Sequence, residues 1–299
     1  KYIGKISPQN VIVGNGATEI IYLFANVFIN KRSKAVIPIP TFGEYERAVK
    51  KCGGKISFVK LDKNTNFSVS PKRVLKNVDE KTRVIFLCNP NNPTGILTPK
   101  EDVLEIIEEA SRMNVLIFLD EHCIELVDEA KGFTLAREVN KHRNLFVLRG
   151  FSKAFGLPGL RIGYGIASKK IIDILLKAQN PWSSSCLAQS AAIAALKDKE
   201  HLERARKILR RERSFMLNEL RKIKCCKVLH SDANYILVDI RRCGVNAKEL
   251  KREMLKHKIL IRDCSSFRGL DKFYIRLAVK THKENQALLN ILKKLLYKN

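Results

Sequence analysis

Two continuous apolar runs, Val84 to Cys88 and Val115 to Leu119, constrain this chain most. Between them lies the amphipathic stretch Pro99 to Met113, a predicted helix with Thr98 as its N-cap. A strand with no polar face is buried on both sides, as in a sheet covered by helices. Both runs end in residues suited to chemistry. The first enters Asn89 to Gly95, where two Asn-Pro steps make a rigid loop. In open α/β sheets ligands sit at that carboxyl end. The second ends in Asp120 and Glu121. A carboxylate buried there without a partner costs several kcal/mol, in order of magnitude, so Asp120 needs a cation or a place at the strand's exit.

A third apolar run, Leu145 to Leu148, leads into Ser152 and Lys153. Gly156, Pro158 and Gly159 then force an irregular turn, and Arg161 opens the next apolar run, Ile162 to Ala167. A lysine amine can form a Schiff base when its pKa is lowered. A neighbouring hydroxyl and a guanidinium can hold a phosphate. The spacing Ser-Lys-x-x-Gly-x-x-Gly-x-Arg therefore suits a phosphorylated aldehyde. Nearer the start, the run beginning at Val11 ends in a glycine turn before a predicted helix from Ala17 to Phe28, a second place for an anion. Gly150 to Ala154 narrowly misses a nucleophile elbow, since Ala154 stands where glycine is needed. His122 and Cys123 have no second Cys/His cluster nearby in sequence, so no metal site is expected.

The 56 Lys and Arg residues against 30 Asp and Glu give a formal net charge of +26. These charges are spread along the chain and do not interleave with aromatics, which argues against a nucleic-acid partner. No apolar run reaches transmembrane length, and a membrane role is not expected. Eight cysteines without a CxxC pair fit a reduced, cytoplasmic compartment.

Taken together, Asn15 to Glu19, Asn89 to Gly95, Asp120-Glu121 and Ser152 to Arg161 resemble the motifs of fold-type I pyridoxal-phosphate (PLP) enzymes. The similar branch holds histidinol-phosphate aminotransferases and threonine-phosphate decarboxylases. The resemblance implies an α/β fold: a mostly parallel large domain over 1–185, then an interdomain helix running to about Lys224 and a small α+β domain within 186–299. It implies a homodimer. It also implies an N-terminal segment ahead of Lys1 that this sequence lacks. Residue by residue, Gly16, Ala17, Thr18, Ser152 and Arg161 would hold the cofactor phosphate. Phe42 would stack on the ring, Asn92 and Cys123 would lie near its O3′ oxygen, and Asp120 would pair with its ring nitrogen. Lys153 would be the Schiff-base lysine. Arg276 would clamp a substrate carboxylate, with Arg262 and Arg268 near a substrate phosphate.

Two positions depart from the family pattern. Cys123 stands where aminotransferases carry a tyrosine, and Gly150 stands where a hydroxyl residue is common. Thr41 to Arg47, Pro181 to Ser183 and Ile261 to Leu270 look more like threonine-phosphate decarboxylases of the cobalamin pathway. The expected reaction is decarboxylation of L-threonine O-3-phosphate. A histidinol-phosphate aminotransferase and a PLP-binding chain without turnover are the alternatives.

Overall fold

The apolar runs pair side by side. In the computed structural model, which describes residues 2–4 and 6–297, seven strands form the larger sheet. They are β1 (Val11–Gly14), β2 (Lys34–Ile39), β3 (Lys55–Lys60), β4 (Thr82–Cys88), β5 (Leu116–Asp120), β6 (Leu145–Gly150) and β7 (Gly163–Ala167). Their order is β1-β7-β6-β5-β4-β2-β3. β2 to β6 are parallel, and β7 runs antiparallel to both β6 and β1. An apolar run gives no direction, so this reversal was not legible in the sequence.

The register is fixed by side chains. Phe86 pairs with Phe118, and Phe118 with Phe146, across three neighbouring strands. Their rings form a ladder with centroids 5.2 Å apart at each step, and Phe24 closes on it at 4.9 Å from Phe118. A slip by one residue would turn every one of these rings to the other face of the sheet. That register sets Cys88 opposite Asp120, so both strands end together. Helices α1 (Gly16–Phe28), α2 (Glu44–Lys51), the short α3 (Pro71–Leu75), α4 (Lys100–Arg112), the single turn α5 (Ala130–Phe133) and α6 (Lys169–Ala178) flank the strands. α1, α2 and α6 pack on the phenylalanine face, and α4 packs on the other. The expected cap at Thr98 is corrected. α4 starts after Pro99 with no side-chain cap, and the Thr98 backbone instead exchanges two hydrogen bonds with the Asn89 side chain.

The long helical stretch expected up to Lys224 is two helices, α7 (Cys186–Lys197) and α8 (Lys199–Arg221). Asp198 breaks it by leaving helical geometry and accepting a hydrogen bond from the His201 backbone N–H at 2.9 Å. A second, antiparallel sheet follows: β8 (Lys227–Val228), β9 (Tyr235–Asp239), β10 (Arg262–Asp263) and β11 (Tyr274–Ala278), in the order β10-β11-β9-β8. α9 (Ala247–Lys256) and α10 (His282–Leu296) pack with it. One apolar core runs from the large sheet into this one, joining Ile117 and Val147 to Val238 and Ile275. Among the described residues, no helix is long and apolar enough to cross a membrane.

Candidate active site

The carboxyl ends of β4, β5 and β6 open into a cavity of about 450 Å³. Ten of the residues singled out in the sequence line it: Ala17, Thr18, Phe42, Asn92, Asp120, Cys123, Ser152, Lys153, Arg161 and Arg276.

One end is built for an anion. α1 begins at Gly16, and no side chain caps its first N–H groups. Arg161, held in the left-handed region at φ 51°, brings its guanidinium against that helix start. A Cβ on Gly16 would lie 2.5 Å from Arg161 Nη2 and push the guanidinium aside, and the backbone there, at φ +79°, itself favours glycine. Gly16 thus shapes the cavity from behind its wall. Ser152 and Lys153 reach the cavity from the turn after β6.

At the floor, Asp120 is 5% exposed. Its Oδ2 accepts a hydrogen bond from the Tyr45 hydroxyl at 2.6 Å, and its Oδ1 accepts one from the His122 backbone N–H at 2.8 Å. Burial pushes the Asp120 carboxyl above its ordinary range, against the pull of the His122 ring and these hydrogen bonds. Burial likewise pushes the Cys123 thiol up to about 12, so it stays protonated. It pushes the His122 imidazole below its ordinary value, with Lys153 and Arg161 adding to the shift, so that ring stays neutral near pH 7.

His122 and Tyr45 were missed as site residues. Tyr45 sits on α2, seventy-five residues before Asp120, and its hydroxyl meets that carboxylate only because α2 packs on the phenylalanine face. His122 explains the departure at Gly150. A Cβ on Gly150 would lie 2.3 Å from His122 Cε1 and 2.6 Å from its Nδ1. The imidazole therefore occupies the space that a side chain at 150 would fill. It lines the cavity, and its Nδ1 is buried without a hydrogen-bond partner.

From the second sheet, Arg276 on β11 reaches in over the Tyr235 ring, 4.9 Å from its centroid, and donates to Asn92 Oδ1. Arg262 and Arg268 are not brought to the cavity wall. Arg262 is exposed and donates to the Ser266 hydroxyl at 3.0 Å. Arg268 binds Glu46 through two hydrogen bonds, at 2.9 and 2.7 Å, because the loop after β10 folds against α2. That pairing holds the Glu46 carboxyl down at about 2.

A cavity lined by an uncapped helix start with a guanidinium against it, and by a hydroxyl, fits a phosphate. A doubly hydrogen-bonded buried carboxylate fits a pyridinium nitrogen, and the Lys153 side chain lines the same cavity. The unpartnered His122 nitrogen beside the anion end agrees with the same group. PLP matches this donor set.

Comparison with known proteins points the same way. The family model "Aminotransferase class I and II" matches residues 1–292. The histidinol-phosphate aminotransferase of Methanococcus aeolicus is 40% identical over 291 residues, 97% of this chain and 77% of that protein. The crystal structure of the histidinol-phosphate aminotransferase from Clostridium acetobutylicum superposes with a TM-score of 0.91 at 32% identity, covering 100% of this chain and 86% of that one. The L-threonine-O-3-phosphate decarboxylase from Porphyromonas gingivalis superposes with a TM-score of 0.85 at 27% identity, covering 97% and 85%. With a matching cavity and a family match over nearly its whole length, the chain belongs to the class I and II aminotransferases, the PLP-dependent enzymes of fold type I.

Proposed function

We propose that the chain decarboxylates L-threonine O-3-phosphate to (R)-1-aminopropan-2-ol O-phosphate. The observation that carries this reading is a contact. Thr41 to Arg47 and Ile261 to Leu270, two stretches that resemble threonine-phosphate decarboxylases, lie against each other in the fold. Glu46 of the first binds Arg268 of the second, and Gly269 sits so close to Pro40 that an added Cβ would be 3.2 Å from its nitrogen. Phe42, in the same loop, lines the cavity. Cys123 adds support, since a protonated thiol is a weak donor where aminotransferases carry a tyrosine hydroxyl. Pro181 to Ser183 carries nothing here, because Trp182 is 97% exposed.

Bound PLP supplies an electron sink conjugated to the substrate's Cα. The chain's own residues do the rest. We assign the α1 amides of Gly16, Ala17 and Thr18, with Ser152, Arg161 and His122, to the cofactor phosphate. Phe42 would pack on the ring, Asn92 and Cys123 would hold its O3′ oxygen, and Asp120, steadied by Tyr45, would keep the ring nitrogen protonated. Arg276 is the guanidinium placed for the substrate carboxylate. The bond from Cα to that carboxylate breaks, carbon dioxide leaves, and Lys153 Nζ delivers the proton that replaces it at Cα. Arg262 on β10 and Arg268 in the loop after it stand off the cavity, and either would meet the substrate's phosphate only by turning inward.

A homodimer is part of this reading, supported by the exposed apolar side chains Trp182, Leu187 and Ile193. A monomeric mass in light scattering would remove it. A second reading, histidinol-phosphate aminotransferase, is favoured by the 40% identical Methanococcus aeolicus relative. Product analysis separates the two. The PLP-loaded protein, given L-threonine O-3-phosphate and no keto acid, should release carbon dioxide and an amine phosphate. Conversion of histidinol phosphate with 2-oxoglutarate, and no carbon dioxide, would establish the aminotransferase. A bound-cofactor absorption band with neither product would mean a cofactor-binding chain without turnover.

The assignment of His122 has its own test. His122→Ala should weaken PLP binding by about 10- to 100-fold, the loss of one hydrogen bond to a charged group, on the order of 1.5–3 kcal/mol. Gly150→Ser alone should also weaken it, because the new Cβ meets the imidazole. The double variant should recover much of the affinity, since a hydroxyl then enters the vacated space. Equilibrium dialysis reads all three. Unchanged affinity in His122→Ala would end the assignment.

A further inference from the structure

We propose that Cys225, Cys226 and Cys243 form a second, non-catalytic site, a three-thiolate site for a thiophilic d10 cation such as zinc, cadmium or cuprous copper. Their sulfurs all lie within 4.8 Å of one another, and the Cys226 and Cys243 Sγ atoms are 3.6 Å apart. A cation bonded to three thiolates at about 2.3 Å holds those sulfurs about 3.8–4.0 Å apart. The cluster is therefore within a few tenths of an ångström of that spacing for its closest pair, and side-chain rotation covers the rest. Among the described residues, no other Cys, His, Asp or Glu group has such spacing.

The fold explains the meeting of residues that the sequence sets far apart. β8 and β9 pair antiparallel, with Lys227 opposite Asp239, so Cys226 just before β8 faces the residue just after β9. The chain then curls back. The Cys243 N–H donates to the Ile240 carbonyl at 2.9 Å, and Gly244 at φ +68° completes the turn. On the other side, the Cys226 N–H donates to the Ile223 carbonyl at 2.9 Å as the chain leaves α8. Ile223 and Ile240 are fully buried and Cys243 is 4% exposed, while Cys225 and Cys226 are half-buried. The soft sulfurs thus sit at the edge of an apolar core with a route to solvent. Thiolates select soft cations over magnesium or calcium, and three of them leave a fourth position for water or a small ligand. None of the three lines the active-site cavity. A bound cation would instead staple the end of α8 to the turn between β9 and α9.

The test uses the reduced, PLP-loaded protein under anaerobic conditions, titrated with cadmium chloride and read by the thiolate-to-cadmium charge-transfer band. The expected result is one cadmium per chain at micromolar concentration, competition by zinc, and a raised melting temperature. Cys243→Ser should weaken binding by more than about 100-fold, beyond what loss of an outer-shell contact does. Because Cys243 is buried, the half-buried Cys225→Ser is the second variant, and it should lose affinity with turnover and circular dichroism unchanged. Cadmium binding that survives in both variants overturns the site. So does a reduced protein that takes up no cadmium and in air merely closes a Cys226–Cys243 disulfide.

Discussion

Lys153→Ala should lower turnover by about 10⁴-fold or more, the upper end of what a positioned acid–base group contributes, with the added loss of its covalent role. The fold should not suffer. Lys153 is exposed at the cavity rather than packed in the core, and a surface substitution of this kind shifts stability by about 0.5 kcal/mol at most. The variant should still take up PLP, because the anion end is made by α1, Ser152 and Arg161. Arg161→Ala gives the complementary pattern: weaker cofactor binding, with turnover largely restored at saturating PLP. Rapid-quench turnover, equilibrium dialysis and a melting curve on each variant separate the two roles. Turnover within tenfold of wild type in Lys153→Ala would remove lysine from the centre of the chemistry.

Much of the site was legible because its residues occupy places the sequence marks. Asp120 and Asn92 follow strands that are apolar on both faces, and such runs can hardly be anything else. Lys153 and Arg161 are tied by a loop of fixed glycines and proline. What was not legible depends on how elements cross. Tyr45 reads as an ordinary core aromatic until α2 lies over β4 and β5. Gly150 reads as a departure and His122 only as a metal-ligand type without a cluster, and only their overlap in space shows one filling the room left by the other. The charge of Arg268 was visible but its direction was not; Glu46 on α2 captured it. Cys243 lies seventeen residues after Cys226, a spacing without meaning until the β8–β9 pairing closes it.

The second large effect is expected on the opposite face of the sheet. Arg149 on β6 is 5% exposed and lies between Glu121 and Glu125, which are 0% and 2% exposed. Its Nη2 donates to Glu121 at 2.7 Å and its Nη1 to Glu125 at 3.0 Å, while Thr134 and the Leu135 N–H also donate to Glu121. Glu121 follows Asp120, and Arg149 precedes Gly150, so this group ties the ends of β5 and β6 together behind the cavity floor. Arg149→Met removes the cation paired with both side chains and leaves two buried carboxylates. The expected cost at neutral pH is about 3–5 kcal/mol. For a chain of this size that is roughly 5–15 °C in melting temperature.

The pH dependence identifies the cause. Burial already pushes the Glu125 carboxyl above its ordinary value, and Arg149 works against that shift, so the variant should raise it further. A carboxyl whose folded pKa lies above its unfolded one binds its proton more tightly in the folded state. Its contribution to stability is fully present below the unfolded value, about 4.3, and is lost as pH rises through the folded value. The gap between wild type and Arg149→Met should therefore be small near pH 5 and widen toward pH 8. Adding Glu121→Gln and Glu125→Gln should narrow it at pH 8, because buried amides carry no charge to strand. A gap of constant size across that range would show that Arg149 acts by packing alone. If it does act by charge, PLP release from the variant should quicken with rising pH, since the strand ends that carry Asp120 and Ser152 loosen together.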